Sequence, residues 1–141
     1  MTNIVGNEFD WRLEGLDFAT NILSRVINHK SLGHAYLFHG PKSVGKFSLA
    51  SRFAQILVTQ DLYDGRINLD SPEAIAIERG EFPDVETISA GGICDDSKDD
   101  DVRSTRIRIC QIRRLQRLAM LAPFQAKRRI FIIDIVDDLQ V

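Results

Sequence analysis

The chain has 141 residues, of which 44% are hydrophobic and 27% charged, with a formal net charge of −2. That length and balance suit one soluble globular domain with a single core. There is no run of about 18 apolar residues to cross a membrane. The near-neutral sum hides an asymmetry. Residues 59–101 hold 13 Asp/Glu against 3 Lys/Arg, whereas residues 102–133 hold 9 Lys/Arg and no acid. Only the second stretch invites a polyanion, and the plainer reading is two solvated faces that pair with each other. The start, MTNIVGNEFDWRLEG, lacks the basic residues and apolar stretch of a secretory signal. Cys94 and Cys110 have no CxxC partner, so free thiols in a reducing compartment are expected rather than a disulfide or zinc set. The default location is the cytoplasm.

Leu16, Ala19, Ile22, Leu23, Val26 and Ile27 recur at helical spacing, which predicts an amphipathic helix over 16–29. Ser31–Gly33 breaks it, and AYLFHG (35–40) follows as a short apolar run that suits a buried strand. After the next glycines, Leu49, Ala50, Phe53, Ala54, Leu57 and Val58 predict a second helix. A short helical piece is expected near 71–79, closed by GEFPD, and DVETISA (84–90) alternates like a strand. GGICDDSKDDD reads as a loop. A third helix begins near Ile109, with Ile112, Leu115, Leu118, Ala119 and Ala122 in phase, and Pro123 stops it. RRIFIIDIVDDL then has the look of a central parallel strand with a carboxylate at its end. Strands alternating with helices predict an α/β fold with a parallel sheet.

The chemistry-bearing stretch is FHGPKSVGKFSLA. It meets the phosphate-loop pattern G-x-x-x-x-G-K from Gly40 through Gly45 to Lys46, between a predicted strand and a predicted helix. Loop amides and the helix N-terminus would face phosphate oxygens, with Gly40, Pro41, Gly45, Lys46 and Ser48 at the site. The pattern fails at the next position, where Phe47 replaces the hydroxyl that normally holds magnesium. Ser48 is one residue late, about 100° further round the helix. Asp134 fits the acid that holds magnesium through water, but Ile135 stands where a water-activating glutamate would be, with Asp137 and Asp138 beyond. Two losses at the metal and water positions predict a degenerate ATP site without hydrolysis of its own. ATP or ADP with magnesium is the cofactor such a loop would take, and no zinc is expected. DDSKDDD lacks the spacing of a calcium loop, and His29, His34 and His39 are scattered without a nucleophile or metal grouping.

These pieces together resemble a known family. HAYLFHGPKSVGKFSLASRFAQIL, preceded by Trp11 and Gly15, is similar to the start of the bacterial DNA polymerase III clamp-loader subunits, the AAA+ proteins tau/gamma and delta prime. ERGEFPDVETI resembles their G-x-H-P-D segment, with Phe82 in place of histidine, and IRICQIRRLQRLAMLAPFQAKRRIFIID resembles their I-x-x-x-x-I-R-x-L helix and Walker B strand. The resemblance implies a P-loop AAA+ nucleotide-binding core. Phe47, Ile135 and the absence of the tau/gamma zinc cysteines from residues 59–83 favour delta prime. That subunit is a stator which assembles with delta and tau/gamma to load the sliding clamp onto primed DNA. Arg113, Arg114 and Arg117, on the expected solvent side of the third helix, become candidate contacts to primer-template DNA. The alternative is an active tau/gamma-type ATPase motor, with Ser48 and Asp137 covering for the lost groups. A phosphotransferase kinase fits poorly for want of a substrate lid. The family also implies a sensor strand, arginine finger, lid and collar beyond Val141. Residues 1–141 are therefore expected to be the N-terminal portion of the AAA+ domain, with the strand that separates 35–40 from 129–134 missing.

Overall fold

The computed structural model describes residues 9–94 and 104–134. The acidic stretch after Cys94, together with Ile135, Asp137 and Asp138, lies outside the described residues. The elements in chain order are α1 (Asp17–Asn28), α2 (Lys46–Leu62), α3 (Pro72–Glu78), β1 (Val85–Ile88), α4 (Ile109–Ala119) and β2 (Ile130–Ile133). The fold is mixed α/β, as expected. The chain divides into two compact units, Met1–Phe53 and Ala54–Val141, with the boundary inside α2.

In the first unit, α1 buries Thr20, Leu23, Ser24 and Ile27. This face is displaced from the predicted one, since Ile22 is exposed. The reason is Trp11, which is buried and donates its indole N–H to Ser24 Oγ at 2.8 Å. An indole donor without an acceptor there would cost about 1–3 kcal/mol, so a serine serves that position better than a larger apolar residue. Phe53 closes the cluster, with its ring 6.2 Å from Trp11 and 5.2 Å, edge-on, from Tyr36.

The expected strand at 35–40 does not form: among the described residues this segment pairs with no strand, and Leu37 is 78% exposed. A strand exists by its ladder, and local apolar character cannot supply one where no neighbour lies alongside. Gly33 N–H instead bonds Tyr36 Oη at 2.7 Å, a local tie that curls the segment's entry.

In the second unit, the later part of α2 is buried nearly all round, from Ala54 through Thr59. Its polar members are satisfied locally. Gln55 Nε2 donates to the Ala74 carbonyl of α3 at 2.6 Å, and Thr59 Oγ1 to the Gln55 carbonyl at 2.8 Å. Ser71 caps α3, accepting from Ala74 N–H at 3.1 Å ahead of Pro72 in the first turn, a cap that contributes about 1 kcal/mol. β1 and β2 pair in parallel, Val85 with Ile130 through Ile88 with Ile133, and α4 crosses between them as a βαβ unit. Among the described residues β2 has a neighbour on one edge only, and three of its four residues are half-buried. Within the described residues it is therefore an edge strand, where its composition predicted a central one.

Candidate functional site

The phosphate-loop residues come together in the first unit. Lys46 is the first residue of α2, and its Nζ donates back to the Gly40 and Pro41 carbonyls at 2.6 and 2.8 Å. The loop is shaped by two residues in the left-handed region, Ser43 (φ 60°) and Gly45 (φ 97°). At Gly45 the positive φ is one that L side chains rarely adopt, so the position favours glycine. The first turn of α2 carries no acid. Its opening N–H groups have no intrahelical acceptors, and the positive end of the helix dipole lies beside the Lys46 ammonium. This arrangement fits a phosphate, which would take over the lysine bonds now made to carbonyls.

The same arrangement does not fit a magnesium ion. Phe47 is 44% exposed in the first turn and offers no oxygen, and Ser48, though exposed, projects from a different side of the helix. Asp134 follows β2 in the second unit, and its N–H extends the ladder to the Ile88 carbonyl at 2.8 Å.

The arginines of α4 separate. Arg113 and Arg117, four residues apart on one face, are exposed. Arg114 is not on the solvent side as expected. It is half-buried and bound to Glu86 of β1, with Nε 3.1 Å and the nearer terminal nitrogen 3.0 Å from Oε1. Adjacent helix residues point about 100° apart, so 113 and 114 cannot share a face.

Two groupings escaped the sequence reading. Asp84, fully buried, accepts N–H bonds from Phe124, Gln125 and Ala126 at 2.6, 2.7 and 2.8 Å, with Arg129 3.6 Å away. Burial pushes its carboxyl up, but the three N–H bonds and the Arg129 charge outweigh it and hold the group below the usual carboxylate range. Asp84 thus anchors the turn that feeds β2, and with it the placement of Asp134. The only available signal was an aspartate closing GEFPD just before a strand. The second grouping is the cysteine pair. Cys94 and Cys110 are joined in a disulfide, with Cα atoms 5.5 Å apart, instead of remaining free thiols. Packing of the α4 N-terminus against the segment after β1 brings them together.

His29, His34 and His39 are all exposed, and no His/Cys/Asp/Glu group that could hold a metal occurs among the described residues. No helix of the described residues is long and apolar enough to cross a membrane.

Among known proteins, no curated protein and no solved structure matches the chain. The family model described as DNA polymerase III, delta subunit matches residues 15–141. That span takes in the phosphate loop, the Asp84 anchor, α4 and the Asp134 strand. A glycine–lysine loop followed along the chain by a βαβ unit agrees with it, and the chain belongs to the DNA polymerase III delta subunit family, clamp-loader proteins of DNA replication whose partners are other replisome subunits.

Proposed function

We propose that the protein is a delta-prime-like stator of the clamp loader, a subunit that braces its neighbours while the ATP chemistry takes place elsewhere in the assembly. The observation that carries this reading is Phe47 directly after Lys46: the position next to the lysine offers no oxygen to magnesium, while Lys46 still begins α2 and turns back over the loop. In this reading Gly40, Pro41, Gly45 and Lys46 hold phosphate as architecture, with Ser48 at the margin. Asp134 is a metal-site remnant. The partners are delta and tau/gamma, and through them the sliding clamp and primer-template DNA, in the cytoplasm. Exposed Arg113 and Arg117 are the candidates for phosphate contact with that DNA, while Arg114 acts through its bond to Glu86 as a structural tie.

Reconstitution tests the stator reading. Full-length protein mixed with delta and tau/gamma is expected to assemble and to load the clamp onto primed DNA. Lys46→Ala is expected to keep loading within about threefold. A Lys46→Ala assembly that forms but cannot load would instead favour the tau/gamma-type motor.

A further inference from the structure

The two cysteines of the chain play no part in phosphate binding, yet they are joined. Cys94, buried after β1, is bonded to Cys110 in the first turn of α4. Their Cα separation of 5.5 Å lies in the middle of the range that disulfides adopt. The same junction is located independently by polar contacts. Gln111 Nε2 donates to the Ser89 carbonyl at 2.7 Å, an Arg108 terminal nitrogen to the Gly92 carbonyl at 3.0 Å, and Arg108 N–H to Gln111 Oε1 at 2.9 Å. Gln111 is itself buried. Opening the disulfide therefore removes a covalent tie while leaving its two ends held near each other by these bonds. The sulfurs also differ in access, Cys94 being 3% exposed and Cys110 half-buried.

We propose that Cys94–Cys110 is a reversible thiol–disulfide modification site that clamps the start of α4 when oxidised and releases it when reduced. In the oxidising direction the Cys110 thiolate attacks a small-molecule disulfide and expels one thiol. The Cys94 thiol then loses its proton, attacks Cys110 Sγ and expels the second thiol. Two electrons pass to the small disulfide, which leaves as two thiols. A dithiol reductant reverses the exchange, entering at the more accessible Cys110 Sγ. The released segment is the start of the helix that carries Arg113 and Arg117 on its exposed face, so the oxidation state sets how firmly that face is held. This proposal is independent of the stator reading, because thiol state and helix protection are measured without any clamp-loading assay.

The test equilibrates full-length protein with glutathione buffers from fully oxidised to fully reduced, under native conditions. Maleimide alkylation is read by intact mass, and amide exchange is followed over 109–119. The expected result is no alkylation in the oxidised buffer, and alkylation in the reduced one that begins at the more accessible Cys110. First-turn exchange in α4 should be about tenfold faster when reduced and return on reoxidation. Cys110→Ser should exchange like reduced wild type in every buffer. The proposal is overturned if both cysteines are alkylated in fully oxidised glutathione. It is equally overturned if the bond opens only in denaturant, which would make it a permanent staple, or if Cys110→Ser keeps a redox-dependent α4.

Discussion

Replacing Asp84 removes the acceptor of three backbone N–H groups at once, and its consequences follow from the geometry. In Asp84→Ala the amides of Phe124, Gln125 and Ala126 lose bonds of 2.6–2.8 Å to a fully buried carboxylate. Arg129, whose side chain is 15% exposed and whose Nε has no hydrogen-bond partner among the described residues, loses its counter-charge as well. Each bond to a charged group contributes about 1.5–3 kcal/mol. Breaking a buried charge pair by deleting one partner costs about 3–5 kcal/mol. The two figures overlap rather than add, since the 123–126 turn can swing partly into water, so a loss of about 3–5 kcal/mol is expected. Against a typical domain stability of about 5–15 kcal/mol that is severe. Asp84→Asn keeps the shape and one acceptor oxygen, and is expected to lose about 2 kcal/mol.

Urea unfolding followed by circular dichroism reads both variants as a lowered midpoint. The pH dependence is a second check. The folded-state carboxyl is held below its ordinary value, so its contribution is fully present above the unfolded value of about 3.9 and is lost as pH falls through the folded one. Wild type should weaken through that acid window more steeply than Asp84→Asn. An Asp84→Ala midpoint corresponding to a loss of less than about 1 kcal/mol would refute the anchoring role.

Three further outcomes are expected. Arg128 grips Asp61 of α2 with two bonds of 2.8 and 2.9 Å, and the Asp61 side chain is 9% exposed. Arg128→Ala should therefore cost about 1–2 kcal/mol in the same urea assay, more than a surface pair, and Asp61→Ala/Arg128→Ala should recover part of it. Gly45→Ala forces a side chain onto a backbone at φ 97°; a loss of about 1–2 kcal/mol and weakened binding of an ATP analogue should appear together. Arg113→Ala/Arg117→Ala should lower the affinity of the assembled clamp loader for primed DNA and reduce the slope of log affinity against log salt by about 1–2, whereas an unchanged slope would remove these arginines from the DNA path.

Helices were the legible part of this fold because their signals are local. Apolar phase placed α2 and α4, and the order of strand, helix and strand gave the α/β class. What failed to show in the sequence depends on neighbours. Residues 35–40 have a strand's composition, but only a ladder makes a strand. The buried face of α1 follows the need of Trp11 for an acceptor, which hydrophobic periodicity does not register. The helix start after the glycine–lysine pattern was readable because that pattern demands a helix at fixed spacing, and Lys46 does begin α2. Arg114 was misplaced because Glu86, 28 residues earlier, turns it inward. The Cys94–Cys110 pairing depends on where α4 begins against the segment after β1, which sequence separation alone does not reveal.

The central claim is that this phosphate loop has kept its shape without the chemistry of hydrolysis, and ATP turnover by the full-length isolated subunit tests it most directly. Steady-state phosphate release is measured with magnesium present for wild type and for Lys46→Ala, alongside binding of an ATP analogue. The account predicts no turnover above the Lys46→Ala background, with any analogue binding weakened by that substitution and little changed when magnesium is chelated. Magnesium-dependent turnover that disappears in Lys46→Ala would contradict it.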